Sequence, residues 1–299
     1  MSTIGIIGVG SVGATIAYTL TLHKDCKSLI LFDINKEKVS GEALDILDTG
    51  LVQVTVTDTI AGLSSCDIII ITAGVKNRSV NNQTRLGLLS DNEEMVKSIA
   101  EPLKALPYAI FIVISNPVDV VSSLLQKYLN VPYERVVGTG TLLDTMRLKA
   151  IISEKLAVDQ KSVIAWVMGE HGDSQFIPWS ICTISGIPIS LFLNDNQMHN
   201  IGIMVRERAY EIIRRKGATY YGIASAVTHI LEAICTDSNT YMPVSTYHKK
   251  FGVYLTTLSV VNNTGAYTTE KLILNDIEKS KLQSSASVLQ SIVDGIDDK

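Results

Sequence analysis

The apolar residues of the first half of this chain come in short unbroken runs: Thr3–Ile7, Leu29–Phe32, Asp67–Thr72, Ala109–Ser115 and Arg135–Val137. A strand with one wet face alternates apolar and polar residues, whereas a continuous run belongs to a strand covered on both faces. Between the runs lie helix-length segments, Ser11–Leu22, Glu37–Leu47, Thr84–Leu106 and Val118–Leu129. Strand, helix and strand repeated in this way dictate an α/β fold whose parallel strands are joined by right-handed crossovers.

The second half has another texture. A helix over Leu142–Leu156 leads to a strand at Ser162–Met168, then to helices at Gln197–Lys216 and Tyr220–Ile234. Two β-like runs, Gly252–Val261 and Gly265–Thr268, precede a closing helix from Asn275 to about Val293. This is an α+β pattern without internal repeats. A length of 299 residues suits two domains, and the change of texture divides the chain into 1–141 and 142–299.

Composition narrows the function classes. With 46% hydrophobic and 19% charged residues the chain is globular rather than disordered. A net charge of -4 with no basic run argues against nucleic acid as a partner. The first ten residues, MSTIGIIGVG, lack the basic start of a secretory signal, and no apolar run approaches the roughly 20 residues that span a bilayer. Cys26, Cys66, Cys182 and Cys235 are scattered and form no CxxC pair. They read as reduced thiols of a cytoplasmic protein, with no metal site.

Directly after the first strand comes Gly8-Val9-Gly10-Ser11-Val12-Gly13, a GxGxxG at the mouth of a helix. Gly8 permits the tight turn, Gly10 lets a pyrophosphate approach the backbone, and Gly13 lets helix and strand pack closely. The helix N-terminus then offers free N–H groups to phosphate. Asp33 follows Gly13 by twenty residues, at the end of the second strand. A carboxylate there accepts from the ribose hydroxyls and repels a 2′-phosphate, so NAD is favoured over NADP. The turn alone is weak, since adenosine-binding methyltransferases use a similar loop and acid.

Four further segments carry chemistry. Asn116-Pro117 stands at a strand end, where ligands of open α/β sheets bind, although Asn-Pro alone is only a turn signal. Asp144 and Arg147 share a helix face, which by itself fits a surface ion pair equally well. His171, flanked by glycines and acids in Gly169-Glu170-His171-Gly172-Asp173, suits proton transfer. His23, His199, His229 and His248 have no such context. The polar loop from Gly74 to Arg85 has the make-up of a lid over a substrate or of an exposed linker.

The stretches GIIGVGSVGATIAY, ITAG, ISNPVDV, GTGTLLDTMR, MGEHGDS, KGATYYGIA and LNDIEKSKLQSSASVL, in this order, resemble the lactate/malate dehydrogenase superfamily over nearly the whole chain. The resemblance implies a Rossmann doubly wound parallel sheet followed by an α+β catalytic domain. It implies an NAD-dependent 2-hydroxy acid oxidoreductase working as a homodimer or homotetramer, with no partner protein. The implied cofactor contacts are Gly8, Gly10, Ser11, Val12, Gly13, Asp33, Thr72, Ala73, Gly74 and Asn116. His171 matches the acid/base histidine and Asp144 its carboxylate partner. Arg147 matches the arginine that grips the substrate carboxylate, and Arg85 the loop arginine that polarises the carbonyl. Asn116 matches the asparagine beside that oxygen, and Thr219 a threonine lining the pocket.

Two departures bear on specificity and regulation. Arg85 is the eleventh residue after Gly74, about two more than the family's loop has. Asn77 then falls where the family reads the substrate side chain, with Arg78 beside it. A neutral Asn77 favours pyruvate, and hence a lactate enzyme. A longer loop also suits the bulkier substrates of hydroxyisocaproate-type enzymes, and a shift to Arg78 would suit oxaloacetate. At the subunit site where fructose 1,6-bisphosphate activates bacterial lactate enzymes, the matching residues are Lys149 and Ile164. Isoleucine makes no phosphate contact, so activation by this sugar is expected to be weak or absent.

Overall fold

The computed structural model describes residues 2–74, 85–104, 106, 108–269 and 271–297; the side chains of residues 85–90, 296 and 297 also lie outside the description. The first half runs β1 (Ser2–Ile7), α1 (Ser11–Thr21), β2 (Cys26–Phe32), α2 (Lys36–Leu47), β3 (Gln53–Val56), β4 (Ile68–Ile71), α3 (Arg85–Leu103), β5 (Ile110–Val113), α4 (Val118–Leu129) and β6 (Val136–Gly138). The second half continues with α5 (Leu142–Leu156), β7 (Val163–Ile164), β8 (Thr183–Ile184), β9 (Ile187–Pro188), α6 (Asp195–Lys216), α7 (Tyr221–Cys235), β10 (Thr240–His248), β11 (Val253–Asn262), β12 (Gly265–Thr268) and α8 (Asp276–Asp297).

The isoleucine run of β4 shows why continuous apolar strands lie between helical layers. Successive side chains point to opposite faces, and all four isoleucines are buried. Ile68 and Ile70 join the core that includes Ile16 of α1 and Ile230 of α7. Ile69 and Ile71 join the opposite core, with Val96 of α3 and Leu124 of α4. Each fully buried isoleucine contributes about 1.5–3 kcal/mol. The parallel strands lie in the order β3-β2-β1-β4-β5-β6. The order in which successive strands are added reverses between β1 and β4, and such a switch opens a ligand crevice beyond the carboxyl ends of the strands.

The sheet does not stop at β6. Ser245 of β10 pairs antiparallel with Gly138 of β6, and β11 and β12 extend the sheet to nine strands. Two of these strands escape the sequence pattern. β3 is short and mostly exposed, and β10 carries Pro243 among hydroxyl side chains. The strand expected at Ser162–Met168 contracts to the two residues of β7, in a small sheet with β8 and β9, while Met168 bridges Phe176 further on. A third core joins that small sheet to α5 and α6 through Leu148, Ile152, Val163 and Ile201.

Candidate active site

The carboxyl ends of β1, β4, β5 and β6 open onto one edge of the sheet and carry the glycine turn, Thr72–Gly74, Asn116-Pro117 and Gly138–Thr141 in turn. Gly8 has φ +91, and a Cβ there would stand 2.7 Å from the Ala73 nitrogen. Only glycine fits such a position. The Gly8 amide donates to the Phe32 carbonyl at 2.8 Å, and the Thr72 hydroxyl donates to the Gly8 carbonyl. The turn is thereby clamped between β2 and β4. A Cβ on Gly13 would lie 2.0 Å from the Gly8 oxygen, so α1 is held hard against the turn.

This turn fits a dinucleotide. A Cβ on Gly10 would meet nothing within 4 Å, so open space lies where the backbone must admit a pyrophosphate. The first turn of α1, which includes Ser11 and Val12, has no side-chain cap and no acidic residue, leaving its N–H groups and positive dipole end to an anion. Asp33 is half-buried at the end of β2. Its Oδ2 accepts the Val9 amide at 2.6 Å and its Oδ1 the Asn35 amide at 2.8 Å. Asn35, not Asp33, caps α2. Asp33 therefore ties the glycine turn to β2 and keeps oxygen lone pairs for ribose hydroxyls. Ser115 donates to the Ala73 carbonyl, joining the end of β5 to the end of β4, and Gly74 and Asn116 beside them are exposed.

The candidate proton-transfer and carboxylate-binding groups gather on α5. Asp144 lies in its first turn and is buried, as is Arg147 one turn on. Asp144 Oδ1 accepts from Arg147 Nη1 at 2.9 Å, and its Oδ2 meets His171 Nδ1 at 2.8 Å. What the spacing left open as a surface pair is a buried ion pair that also holds the half-buried His171. The Nη1 bond is the guanidinium's one hydrogen bond among the described residues. Its remaining donors stay available for a planar carboxylate.

Burial of the His171 ring works to lower its pKa. The Asp144 carboxylate bonded to Nδ1, seconded by the charge of Asp119, outweighs that and moves the pKa up. With Nδ1 taken by Asp144, Nε2 is the nitrogen left to exchange a proton.

The loop bearing His171 is fixed from several sides. Thr141 donates to the Val167 carbonyl at 2.6 Å and Thr145 accepts the Val167 amide at 2.9 Å, locking the approach to the loop onto α5. Gly169 exchanges backbone bonds with Thr256 of β11. Ser285 of α8 donates to the Ser174 carbonyl at 2.8 Å. The His171 amide donates to Asp119 Oδ2 at 2.9 Å. None of these supports was read from the sequence, where isolated threonines and serines carry no motif. Asp119 is buried in the first turn of α4 together with Val118, Val120 and Val121.

Thr219 is half-buried in the link between α6 and α7. A Cβ on Gly222, in the first turn of α7, would stand 2.8 Å from Leu143 Cδ1, so the start of α7 is packed against the α5 turn holding Asp144. Asn77 and the Arg85 side chain lie outside the described residues.

A doubly wound dinucleotide fold with a half-buried histidine on a buried carboxylate and arginine at the crevice defines a nicotinamide-dependent oxidoreductase class. Family models place the chain within it. Residues 2–138 match the lactate/malate dehydrogenase NAD-binding domain, and residues 141–299 match the alpha/beta C-terminal domain of the same enzymes. The chain belongs to the lactate/malate dehydrogenase family. It is 41% identical over 304 residues to an L-lactate dehydrogenase of Clostridium botulinum, covering 96% of this chain and 95% of that one. An L-lactate dehydrogenase of a Thermoanaerobacter strain is 38% identical, covering 99% and 100%. Among solved structures, the minor L-lactate dehydrogenase of Enterococcus mundtii superposes with a TM-score of 0.93 at 36% identity, covering 98% of each chain. A lactate dehydrogenase from a deep-sea metagenome superposes at 0.92 and 34%, with the same coverage.

Proposed function

We propose that the chain is an L-lactate dehydrogenase, interconverting pyruvate and (S)-lactate. The observation that carries the chemistry is the His171–Asp144–Arg147 triad, its ion pair buried. The substrate choice is favoured by the L-lactate dehydrogenase relatives at 38–41% identity. When bound, NADH supplies the hydride. Arg147 holds the substrate carboxylate through its free donors and so orients the carbonyl. His171 gives the Nε2 proton to the carbonyl oxygen and takes it back in the reverse direction. Asp144 fixes the tautomer and stabilises the imidazolium, the role an aspartate plays in a serine hydrolase triad. Arg85 is assigned to polarise the carbonyl, Asn116 and Thr219 to line the pocket, and Asn77 to face the substrate methyl.

Because the His171 pKa is raised, the protonated form needed for pyruvate reduction persists above the ordinary histidine range, while lactate oxidation gains as pH rises past it. Weak or absent activation by fructose 1,6-bisphosphate is supported by Ile164, partly exposed where a phosphate ligand would be needed, and by Lys149, whose Nζ sits 4.8 Å from the centre of the Trp166 ring. A homo-oligomer is supported by the exposed Tyr18, Leu22, Leu44, Leu47 and Leu51 along α1, α2 and the residues after α2. Among the described residues no helix is long and apolar enough to cross a membrane, and the four cysteines are free, which supports a cytoplasmic site of action.

The deciding experiment measures NADH oxidation with pyruvate, 2-oxobutyrate, 2-oxoisocaproate, phenylpyruvate and oxaloacetate, each with and without fructose 1,6-bisphosphate. The highest kcat/KM with pyruvate and no leftward shift of its saturation curve are expected. A preference for 2-oxoisocaproate reassigns the chain to the broader 2-hydroxy acid enzymes, and one for oxaloacetate to malate enzymes with Arg78 facing the substrate.

A further inference from the structure

Asp119 stands in the first turn of α4, three residues beyond Asn116, and is 2% exposed. Both its oxygens are engaged, and with different parts of the molecule. Oδ1 accepts the Ser245 hydroxyl of β10 at 2.5 Å, and Oδ2 accepts the backbone amide of His171 at 2.9 Å. A carboxylate buried to this degree costs free energy that two hydrogen bonds only partly offset. Burial pushes its pKa up to about 6, against the opposing pull of Ser245 and His171. A neutral side chain would pack here at lower cost, so the charge is explained by the group it faces.

We propose that Asp119 is a positioning residue for the proton transfer: it holds the His171 backbone at the crevice and, through its charge, strengthens the hold of the imidazole on its proton. The proposal rests on the acid/base role of His171. The histidine then lies between two buried carboxylates of separate origin, with Asp144 at ring Nδ1 and Asp119 at its own amide. Arg147 is the charge that acts against them on the ring. Glu170, next in the chain, acts on Asp119 in the same sense as burial, while the hydroxyl of Ser245 counters it. Since β10 joins the sheet at Ser245 opposite Gly138, Asp119 also ties the parallel half of the sheet to the loop that carries the chemistry.

The test is the pH dependence of kcat/KM for pyruvate in Asp119→Asn and Asp119→Ala. The asparagine keeps the shape, can accept the His171 amide through Oδ1 and can donate to Ser245 through Nδ2, but carries no charge. Its alkaline limb should move about one unit to lower pH, with NADH affinity unchanged. The alanine should in addition lose kcat about tenfold or more, because the His171 backbone is released. Should either variant fail to fold, Asp119→Glu decides. That variant keeps the charge but shifts the carboxylate by one methylene, so kcat should fall while the alkaline limb stays in place.

A pH profile of Asp119→Asn that superposes on the parent, or a kcat of Asp119→Glu equal to the parent's, overturns the proposal. His171→Asn, measured alongside, separates the two levels. If it turns over normally the acid/base assignment fails; if it is inactive while the Asp119 profiles are unmoved, only the positioning role fails.

Discussion

Along β4 and β5 every residue is isoleucine, valine or phenylalanine and every one is buried. At the other end of the same sheet, β10 and β11 bury Ser245, Thr246, His248, Thr256, Thr257 and Ser259 among their apolar neighbours. Most of these polar groups find each other. Thr246 and Ser259 hydroxyls lie 2.8 Å apart, and Thr257 reaches His248 Nε2 at 3.2 Å. The aliphatic half gains stability from burial alone and supplies a rigid edge for the cofactor turn. The polar half gains less per residue, since net hydrogen-bond contributions are small. It supplies directional groups instead, and one of them, Ser245, reaches the His171 loop through Asp119.

If the two halves divide labour in this way, His171→Asn should lower pyruvate turnover about 1,000- to 10,000-fold while NADH binding, followed by fluorescence titration, stays near normal. Comparable losses of both would mean that cofactor and proton sites are not separable. Next in size, Ile70→Ala in β4 should cost about 3 kcal/mol of unfolding free energy in urea, as a cavity opens in a packed core. Activity per folded molecule should be kept. A loss below about 1 kcal/mol would show that the parallel half tolerates collapse around the cavity.

In the polar half, burial pushes the His248 pKa down to about 4. The ring is therefore neutral in the folded protein, and the stability linked to it is complete above its unfolded pKa and fades as pH falls toward 4. Between pH 7 and 4.5 this one group should account for about 2 kcal/mol. Urea unfolding of His248→Gln, which cannot take up that proton, should have a shallower pH dependence by about this amount. Equal slopes would mean that the ring is solvated. The smallest effect belongs to Thr246→Val, which breaks the bond to Ser259 at constant shape and should cost about 1 kcal/mol. A cost like that of Ile70→Ala would erase the distinction between the halves.

How much was legible follows the same division. The runs that became β1, β4 and β5 showed themselves because burial on both faces demands unbroken apolar sequence. The glycine turn was legible because backbone conformation and close packing at Gly8 and Gly13 exclude other residues. His171, Asp144 and Arg147 were found as motifs, although the local spacing of Asp144 and Arg147 fitted a surface pair as well as a buried one. β10 stayed hidden because Pro243 and its hydroxyls read as a loop. Their burial is tolerated only because partners arrive from β11 and α4.

By itself, then, the sequence determined the parallel sheet and the glycine turn, since each rests on local sterics or on the periodicity of burial, and it named His171, Asp144 and Arg147 as candidates. The tertiary structure decided that the sheet continues through β10 to β12, that the ion pair of α5 is buried against His171, and that Asp119 faces the histidine amide. Those outcomes depend on hydrogen bonds between residues 27 to 126 positions apart, and nothing in the local sequence names the partner that satisfies a buried polar atom.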